Sequence, residues 1–264
     1  MTPVLLIGAG RLGGALLQGW RAADAFAFDQ LLIACPRPNP EVEAAVSAGA
    51  RFNPPDEVLA AARTVVLAVK PQILREVAAA HAPRLSPEAI VISVAVGVSL
   101  ADLADVFGGR LVARAMPTTG VAIGRGVAAL YADKPEALAC AHTLFDPIAA
   151  TVDLPREELM LQAGAVAGSG PAYLYAFVEA LERAGEAAGL PGEIARSLAR
   201  ATVTSAAALL ESSGTDPADL RRQVASPGGV TEAALKVLGG ESGLDPLLAE
   251  ALAANMARAR ELAR

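Results

Sequence analysis

The run Val4-Leu5-Leu6-Ile7, then Gly8-Ala9-Gly10-Arg11-Leu12-Gly13-Gly14, then Ala15-Leu16-Leu17-Gln18-Gly19-Trp20 constrains this chain more than any other stretch. It reads as strand, glycine turn, helix. Glycines at 8, 10 and 13 fit a dinucleotide fingerprint. The first allows the turn, the second admits a pyrophosphate, and the third lets helix and strand pack closely. Taken alone, the segment also fits a glycine turn with no ligand.

Further strands follow. Leu31-Leu32-Ile33-Ala34 ends at Cys35-Pro36-Arg37-Pro38, where an NAD-type enzyme is expected to carry an acid for the ribose 2′-hydroxyl. No acid stands there. Arg37 does, and a guanidinium fork suits a 2′-phosphate, so the cofactor leans to NADP, with NAD possible and a solvated loop arginine as the competing reading. Thr64 to Val69 forms a third strand ending at Lys70-Pro71-Gln72, and Ala89 to Ala95 a fourth ending at Val96-Gly97-Val98. Both are near-continuous apolar runs, as expected of strands covered on both faces, and both break at their carboxyl ends, where open sheets bind ligands. Lys70 is placed either to touch a nicotinamide ribose or to sit in solvent. A fifth strand covers Arg110 to Ala115 and leads into Met116-Pro117-Thr118-Thr119-Gly120; a sixth covers Gly126 to Tyr131.

After Leu154-Pro155 the strand-like runs stop. A helical region begins at Arg156 to Leu159 and is interrupted at Gly168-Ser169-Gly170-Pro171, where Pro171 suits a first helical turn. A helix over Ala172 to Leu181 ends near Gly189-Leu190-Pro191, and another covers Ile194 to Glu211. Asp216-Pro217 reads as cap and first turn, Gly239-Gly240 as a helix end, and Pro246 to Arg264 as a last helix striped with Leu248, Leu252, Met256 and Ala259. The expected architecture is an α/β Rossmann-type nucleotide-binding domain over residues 1–155, followed by an all-α dimerisation and substrate domain over residues 156–264.

In 264 residues, 53% are hydrophobic and 19% charged, which leaves no disordered segment to propose. A net charge of -6 repels a phosphate surface, so nucleic acid is not an expected partner. The first apolar run is too short to span a bilayer and has no basic leader; no membrane association and a cytoplasmic location are the expectation. Cys35 and Cys140 form no metal quartet and no CxxC pair, so no metal is expected and both are taken as reduced. His81 and His142 lie in alanine-rich helices and read as surface or packing residues.

Ser226-Pro227-Gly228-Gly229-Val230-Thr231 leads into the apolar helix Glu232-Ala233-Ala234-Leu235. A glycine loop at a helix start is suited to an anion, because free N–H groups point outward and no side chain blocks the approach. An ordinary loop with a capping threonine is the other reading. Many hydroxyacid dehydrogenases of similar layout carry a lysine one helical turn past a glycine cluster; here that turn is Tyr173-Leu174-Tyr175. Ketone reduction develops alkoxide-like charge that needs a proton donor, whereas an iminium already holds its proton and needs only placement against the hydride. The missing lysine favours an imine substrate.

Nearly end to end, the chain resembles the pyrroline-5-carboxylate reductase family. The likeness rests on Ala68-Val69-Lys70-Pro71-Gln72, Ser93 to Gly97, Met116 to Thr119, Gly168-Ser169-Gly170-Pro171-Ala172-Tyr173 and, above all, Ser226-Pro227-Gly228-Gly229 with Thr231. The resemblance implies reduction of the cyclic imine 1-pyrroline-5-carboxylate to L-proline by NADPH, the last step of proline biosynthesis, in a homodimer or a higher assembly of dimers with the substrate site where two subunits meet. It implies a cofactor site lined by Ile7, Gly8, Ala9, Gly10, Arg11, Leu12 and Gly13, by Cys35, Pro36 and Arg37, by Ala68, Val69, Lys70 and Pro71, and by Ala95, Val96 and Gly97. Ser226, Gly228, Gly229, Val230 and Thr231 would hold the substrate, the N–H groups taking its carboxylate, with the Thr231 hydroxyl at the ring nitrogen as the catalytic contact.

Some positions depart from the family pattern. The usual Met-Pro-Asn-Thr-Pro has Thr118 and Gly120, the usual Asp-Ala-Val-Thr-Ala-Leu-Ser reads Leu161 to Ala167, and the usual first threonine after the paired glycines is Val230. Pro55 stands near where an asparagine often meets the cofactor. Glu232 puts an acid beside the proposed carboxylate site. A related imine reductase acting on another ring, and a nucleotide-binding regulatory protein without turnover, remain the alternatives. The alanine-rich second half would leave apolar surface exposed in a monomer, and the Leu248 to Ala259 stripe is the expected seam of a two-fold pair.

Overall fold

The computed structural model describes residues 1–262, so Arg264, the expected end of the last helix, lies outside the described residues. Eight strands form one sheet in the order β3-β2-β1-β4-β5-β6-β7-β8. They are β1 (Val4–Ile7), β2 (Leu31–Ala34), β3 (Arg51–Phe52), β4 (Thr64–Leu67), β5 (Ile90–Ser93), β6 (Val112–Pro117), β7 (Gly126–Tyr131) and β8 (Ala149–Asp153). Neighbours from β3 to β6 pair in parallel, β7 runs antiparallel to β6, and β8 pairs in parallel with β7.

Helices alternate with these strands: α1 (Arg11–Ala22), α2 (Pro40–Ser47), α3 (Asp56–Leu59), α4 (Pro71–His81), α5 (Leu100–Val106) and α6 (Pro135–Phe145). Every residue of β1, β2 and β4 is buried. Their pleat sends alternate side chains to two cores. Val4 and Leu6 join Leu16, Trp20 and Phe145 on one face, while Leu5 and Ile7 join Leu59, Leu74 and Phe107 on the other. Trp20 is fully buried, and its indole N–H donates to the carbonyl of Leu144 at 2.8 Å.

Three expected strand boundaries shift. The runs expected over Thr64 to Val69 and Ala89 to Ala95 pair only over β4 and β5, whereas the run expected over Arg110 to Ala115 starts later and pairs on through Pro117 as β6. Apolarity continues past the last ladder bond because the chain stays under the helices after it leaves the sheet; Val94 and Ala95 remain buried beyond β5. Two short strands carried no such signal. β3 has two residues, and β8 exposes Ala150, Val152 and Asp153.

The remaining helices are α7 (Met160–Ala163), α8 (Gly170–Ala187), α9 (Gly192–Ser213), α10 (Pro217–Gln223), α11 (Val230–Leu238) and α12 (Leu244–Leu262). A π-helical segment, Gly164–Gly168, follows α7, and the interruption expected over Gly168 to Pro171 falls at Ser169, the N-cap of α8, with Pro171 in its first turn. The chain divides into two compact units, one of Met1–Gly168 with Met256–Arg264 and one of Ser169–Asn255. Within the second unit α8 packs on α9 so closely that a Cβ on Gly185 would lie 3.2 Å from the Ala195 methyl. Asn255 donates to the Ser169 hydroxyl at 2.8 Å, tying α12 to the start of α8.

Candidate active site

In the first unit, four parallel strands end side by side, so the segments that follow β2, β1, β4 and β5 emerge along one edge. Cys35 to Arg37, Gly8 to Gly13, Ala68 to Pro71 and Ala95 to Gly97 are those four segments. Gly8 takes φ +93°, and a Cβ there would stand 2.6 Å from the Ala68 carbonyl oxygen. Only glycine fits both demands. A Cβ on Gly13 would come 2.2 Å from the Gly8 carbonyl oxygen, so α1 begins tight against the turn. Gly10, the N-cap of α1, has nothing within 4 Å of where a Cβ would stand. No side chain caps α1, which leaves its first N–H groups aimed at that open space.

Two asparagines that sequence reasoning passed over hold the loop after β2. Asn53, at φ +44°, accepts from the Cys35 N–H at 3.1 Å and donates to the Cys35 carbonyl at 3.0 Å. Asn39 caps α2 by accepting from the Val42 N–H at 2.9 Å, and donates to the Ala9 carbonyl at 2.6 Å. The Asn39-Pro40 pair is a recognisable cap and first-turn signal; the bond to Ala9 has none. Between them Arg37 is exposed, and Cys35 donates its thiol to the Arg37 carbonyl at 3.3 Å. Burial pushes the Cys35 thiol pKa up, so it is a neutral packing group.

A cleft of about 350 Å³ opens on this edge, lined by Gly10, Arg11, Gln18, Asn39 and Thr119 among others. Its far wall is a 3₁₀ turn, Thr119–Ile123. That wall is pressed against α1: a Cβ on Gly19 would stand 2.1 Å from the Val121 carbonyl oxygen. Gly120 answers the departure from the usual proline, since a Cβ there would lie 2.7 Å from the Arg125 carbonyl oxygen. Thr118 is buried and spends its hydroxyl on the sheet, accepting from the Val127 N–H at 3.0 Å. Lys70 is the exposed N-cap residue of α4.

A second cleft of about 290 Å³ lies beside Val96, Gly97, Arg114, Met116 and Glu157. Arg114, 8% exposed, pairs with Glu157 at 2.8 Å, and the same carboxylate oxygen accepts from the Leu100 N–H at 2.7 Å. A buried charge held this way fixes the floor of the cleft.

In the second unit, Gly228 takes φ +70° and Gly229 is the N-cap of α11. The Gly229 N–H closes the turn on the Ser226 carbonyl at 2.9 Å. Thr231 is the second residue of the helix and does not cap it. No side chain caps it; the Glu232 carboxylate reaches back past the N-cap, accepts from the Gly228 N–H at 2.6 Å and lies 3.3 Å from Lys236 Nζ. Val230 is 90% exposed. On α8, the Tyr173 hydroxyl is buried without a hydrogen-bond partner among the described residues.

Residues 157–262 match the family model described as pyrroline-5-carboxylate reductase dimerisation, and residues 3–97 match the model described as NADP oxidoreductase, coenzyme F420-dependent. A pyrroline-5-carboxylate reductase of Pseudomonas aeruginosa is 37% identical over 99% of this chain and 97% of its own length. The chain belongs to the pyrroline-5-carboxylate reductase family. A Synechocystis member is 34% identical over 98% of this chain and 97% of its own. The solved structure of a family member from Coxiella burnetii superposes with a TM-score of 0.90 at 29% identity, covering 100% of this chain and 99% of that one.

The first unit fits the dinucleotide this family membership implies. Gly10 leaves the approach to the α1 N-terminus open, Gly8 and Gly13 fix the turn, and an exposed guanidinium stands at the end of β2.

Proposed function

We propose that this chain reduces 1-pyrroline-5-carboxylate to L-proline, with NADPH supplying the hydride when bound. The observation that carries the reading is the α11 turn, where the Gly228 N–H already holds a carboxylate, that of Glu232, at 2.6 Å beside Thr231 in the first helical turn, in a chain 37% identical to a pyrroline-5-carboxylate reductase over 99% of its length. Arg11, Leu12 and Gly13 would offer their N–H groups to the pyrophosphate, and Arg37 would clasp the 2′-phosphate. Ile7, Ala9, Cys35, Pro36, Ala68, Val69, Lys70, Pro71, Ala95, Val96 and Gly97 would line the rest of the cofactor site.

Ser226, Gly228, Gly229, Val230 and Thr231 would hold the substrate. The N–H groups from Gly228 to Thr231 would take its carboxylate, and the Thr231 hydroxyl would orient the ring nitrogen. An iminium needs no further proton donor, which accords with the absence of a lysine from the turn Tyr173-Leu174-Tyr175 after Gly170.

The working division is a nucleotide domain over 1–155 and a helical substrate and pairing domain over 156–264, assembled as a homodimer or as dimers of it. Among the apolar side chains of the compact helical unit Ser169–Asn255 only Ala195 and Ala199 are buried, while Leu174, Tyr175, Leu198 and Leu247 are each more than half exposed. Such a surface calls for a second copy. Among the described residues no helix is long and apolar enough to cross a membrane, and we place the chain in the cytoplasm.

A panel of five- and six-membered cyclic imino acids, with NADPH oxidation followed by absorbance, tests the reading. Turnover of the five-membered acid is expected; none with any member of the panel refutes it.

A further inference from the structure

The glycine turn before α11 already holds a carboxylate, and it belongs to the chain itself. Glu232 Oε2 accepts from the Gly228 N–H at 2.6 Å, while Oε1 faces Lys236 Nζ at 3.3 Å. Glu232 is the third helical residue, the position from which a glutamate reaches back over a helix start in a capping box. It reaches one residue beyond the cap, to Gly228, because φ +70° at Gly228 accompanies a turn that folds back on the helix. The Glu232 side chain is 39% exposed, so water is at hand when it leaves.

We propose that Glu232 is a specificity-determining residue that competes with the substrate carboxylate for the Gly228 N–H. The proposal rests on the reading of Gly228 to Thr231 as the substrate seat. Both contenders are carboxylates and make the same kind of charge-assisted bond, so the exchange is close to balanced. The measured affinity for an acid-bearing ring is then the intrinsic affinity reduced by the fraction of chains in which the seat is open. Lys236, one turn on, keeps a cation beside Glu232 after it swings out, which eases displacement. A ring without an acid group does not use the seat and meets no competition. Glu232 thus lowers affinity for imino acids selectively and narrows their advantage over acid-free imines.

Calorimetric titration of the full chain with L-proline, and with pyrrolidine as its acid-free counterpart, tests this in the presence of NADP. Glu232→Ala should tighten L-proline roughly three- to thirtyfold. Glu232→Gln, whose amide oxygen is still able to accept from Gly228 but without charge, should tighten it less. Pyrrolidine should be unaffected in both. Unchanged or weaker L-proline binding overturns the proposal, and so does equal tightening of pyrrolidine, which would mean that Glu232 merely crowds the ring. Should the alanine variant fail to fold, the isosteric glutamine variant decides by the direction of its L-proline shift. A wild-type chain that neither binds L-proline nor oxidises NADPH with pyrroline-5-carboxylate overturns the seat reading as well, whereas normal wild-type turnover with unshifted variants overturns the competition alone.

Discussion

Gly13 and Gly8 meet so closely that a Cβ on Gly13 would lie 2.2 Å from the Gly8 carbonyl oxygen, whereas the same atom on Gly10 would meet nothing within 4 Å. One glycine serves the fold and the other serves whatever approaches the turn. Gly13→Ala should therefore destabilise by roughly 1–3 kcal/mol through overpacking and lose NADPH binding with it. Gly10→Ala should melt within a few degrees of wild type and still lose NADPH affinity, because its methyl group fills the approach. Thermal melts paired with NADPH fluorescence titrations separate the two; equal melting temperatures would contradict the packing argument.

Arg37 stands exposed at the end of β2 with its loop braced by Asn39 and Asn53. Arg37→Ala should weaken NADPH binding by roughly 1.5–3 kcal/mol and leave NADH nearly untouched. Parallel titrations with both cofactors check it, and an equal loss for the two removes the role.

Thr231 lies inside α11 rather than at its cap, so its removal should spare the helix. Thr231→Ala is expected to lower turnover roughly ten- to thousandfold while NADPH still binds, with Thr231→Ser recovering part of the loss. Steady-state kinetics beside a cofactor titration decide it; wild-type turnover in the alanine variant would leave Thr231 without a catalytic part.

His142 is held between two carboxylates, Nδ1 at 2.9 Å from Asp146 and Nε2 at 2.9 Å from Asp153. A carboxylate only accepts, so this geometry favours the protonated ring, in which both nitrogens donate. The Asp146 hydrogen bond leads in raising the His142 pKa above its ordinary value; burial opposes it and the charge of Asp153 adds to it. Burial pulls the Asp146 pKa up, but hydrogen bonds from Thr151 and His142 outweigh it and the net shift is downward. A raised histidine pKa contributes stability that is whole below its unfolded value and is lost as pH rises through the folded value. The lowered Asp146 pKa contributes stability that is lost as pH falls through its own folded value. His142→Ala should thus cost roughly 0.5–1 kcal/mol in mildly acidic buffer and less in alkaline buffer. Denaturant melts across pH check the sign; a gap that widens with pH would contradict it.

The doubly covered strands were legible because burial on both faces writes itself as unbroken apolar runs, and the turn after β1 because its glycines answer local constraints. β8 was not, since an edge strand exposing Val152 has no such signature. The bracing asparagines and the reach of Glu232 to Gly228 were hidden for another reason. They are side-chain choices settled by partners that the fold supplies: Ala9 is 30 residues from Asn39, and Cys35 is 18 from Asn53. A threonine after two glycines reads as a cap, yet once Gly229 takes that position the acid one residue later is better placed to satisfy the turn.

Leu198 on α9 is 52% exposed, so an aspartate there should be harmless in a solitary chain. If copies pair through this helical unit, Leu198→Asp should yield monomers with imine reduction abolished and NADPH binding retained. Light scattering beside both assays checks it, and an active wild-type monomer at assay concentration would refute the pairing.

The near absence of buried side chains in the helical unit also bears on how the molecule comes into being. A newly made chain can complete its sheet from its own residues, a unimolecular event, but its helices find most of their apolar cover only on meeting another chain. That step is second order. Dilution should therefore slow the recovery of activity after denaturation without slowing the return of the signal from Trp20, on α1 in the core against the sheet, and at low expression the interval before encounter becomes the period when the chain is most open to proteolysis and aggregation.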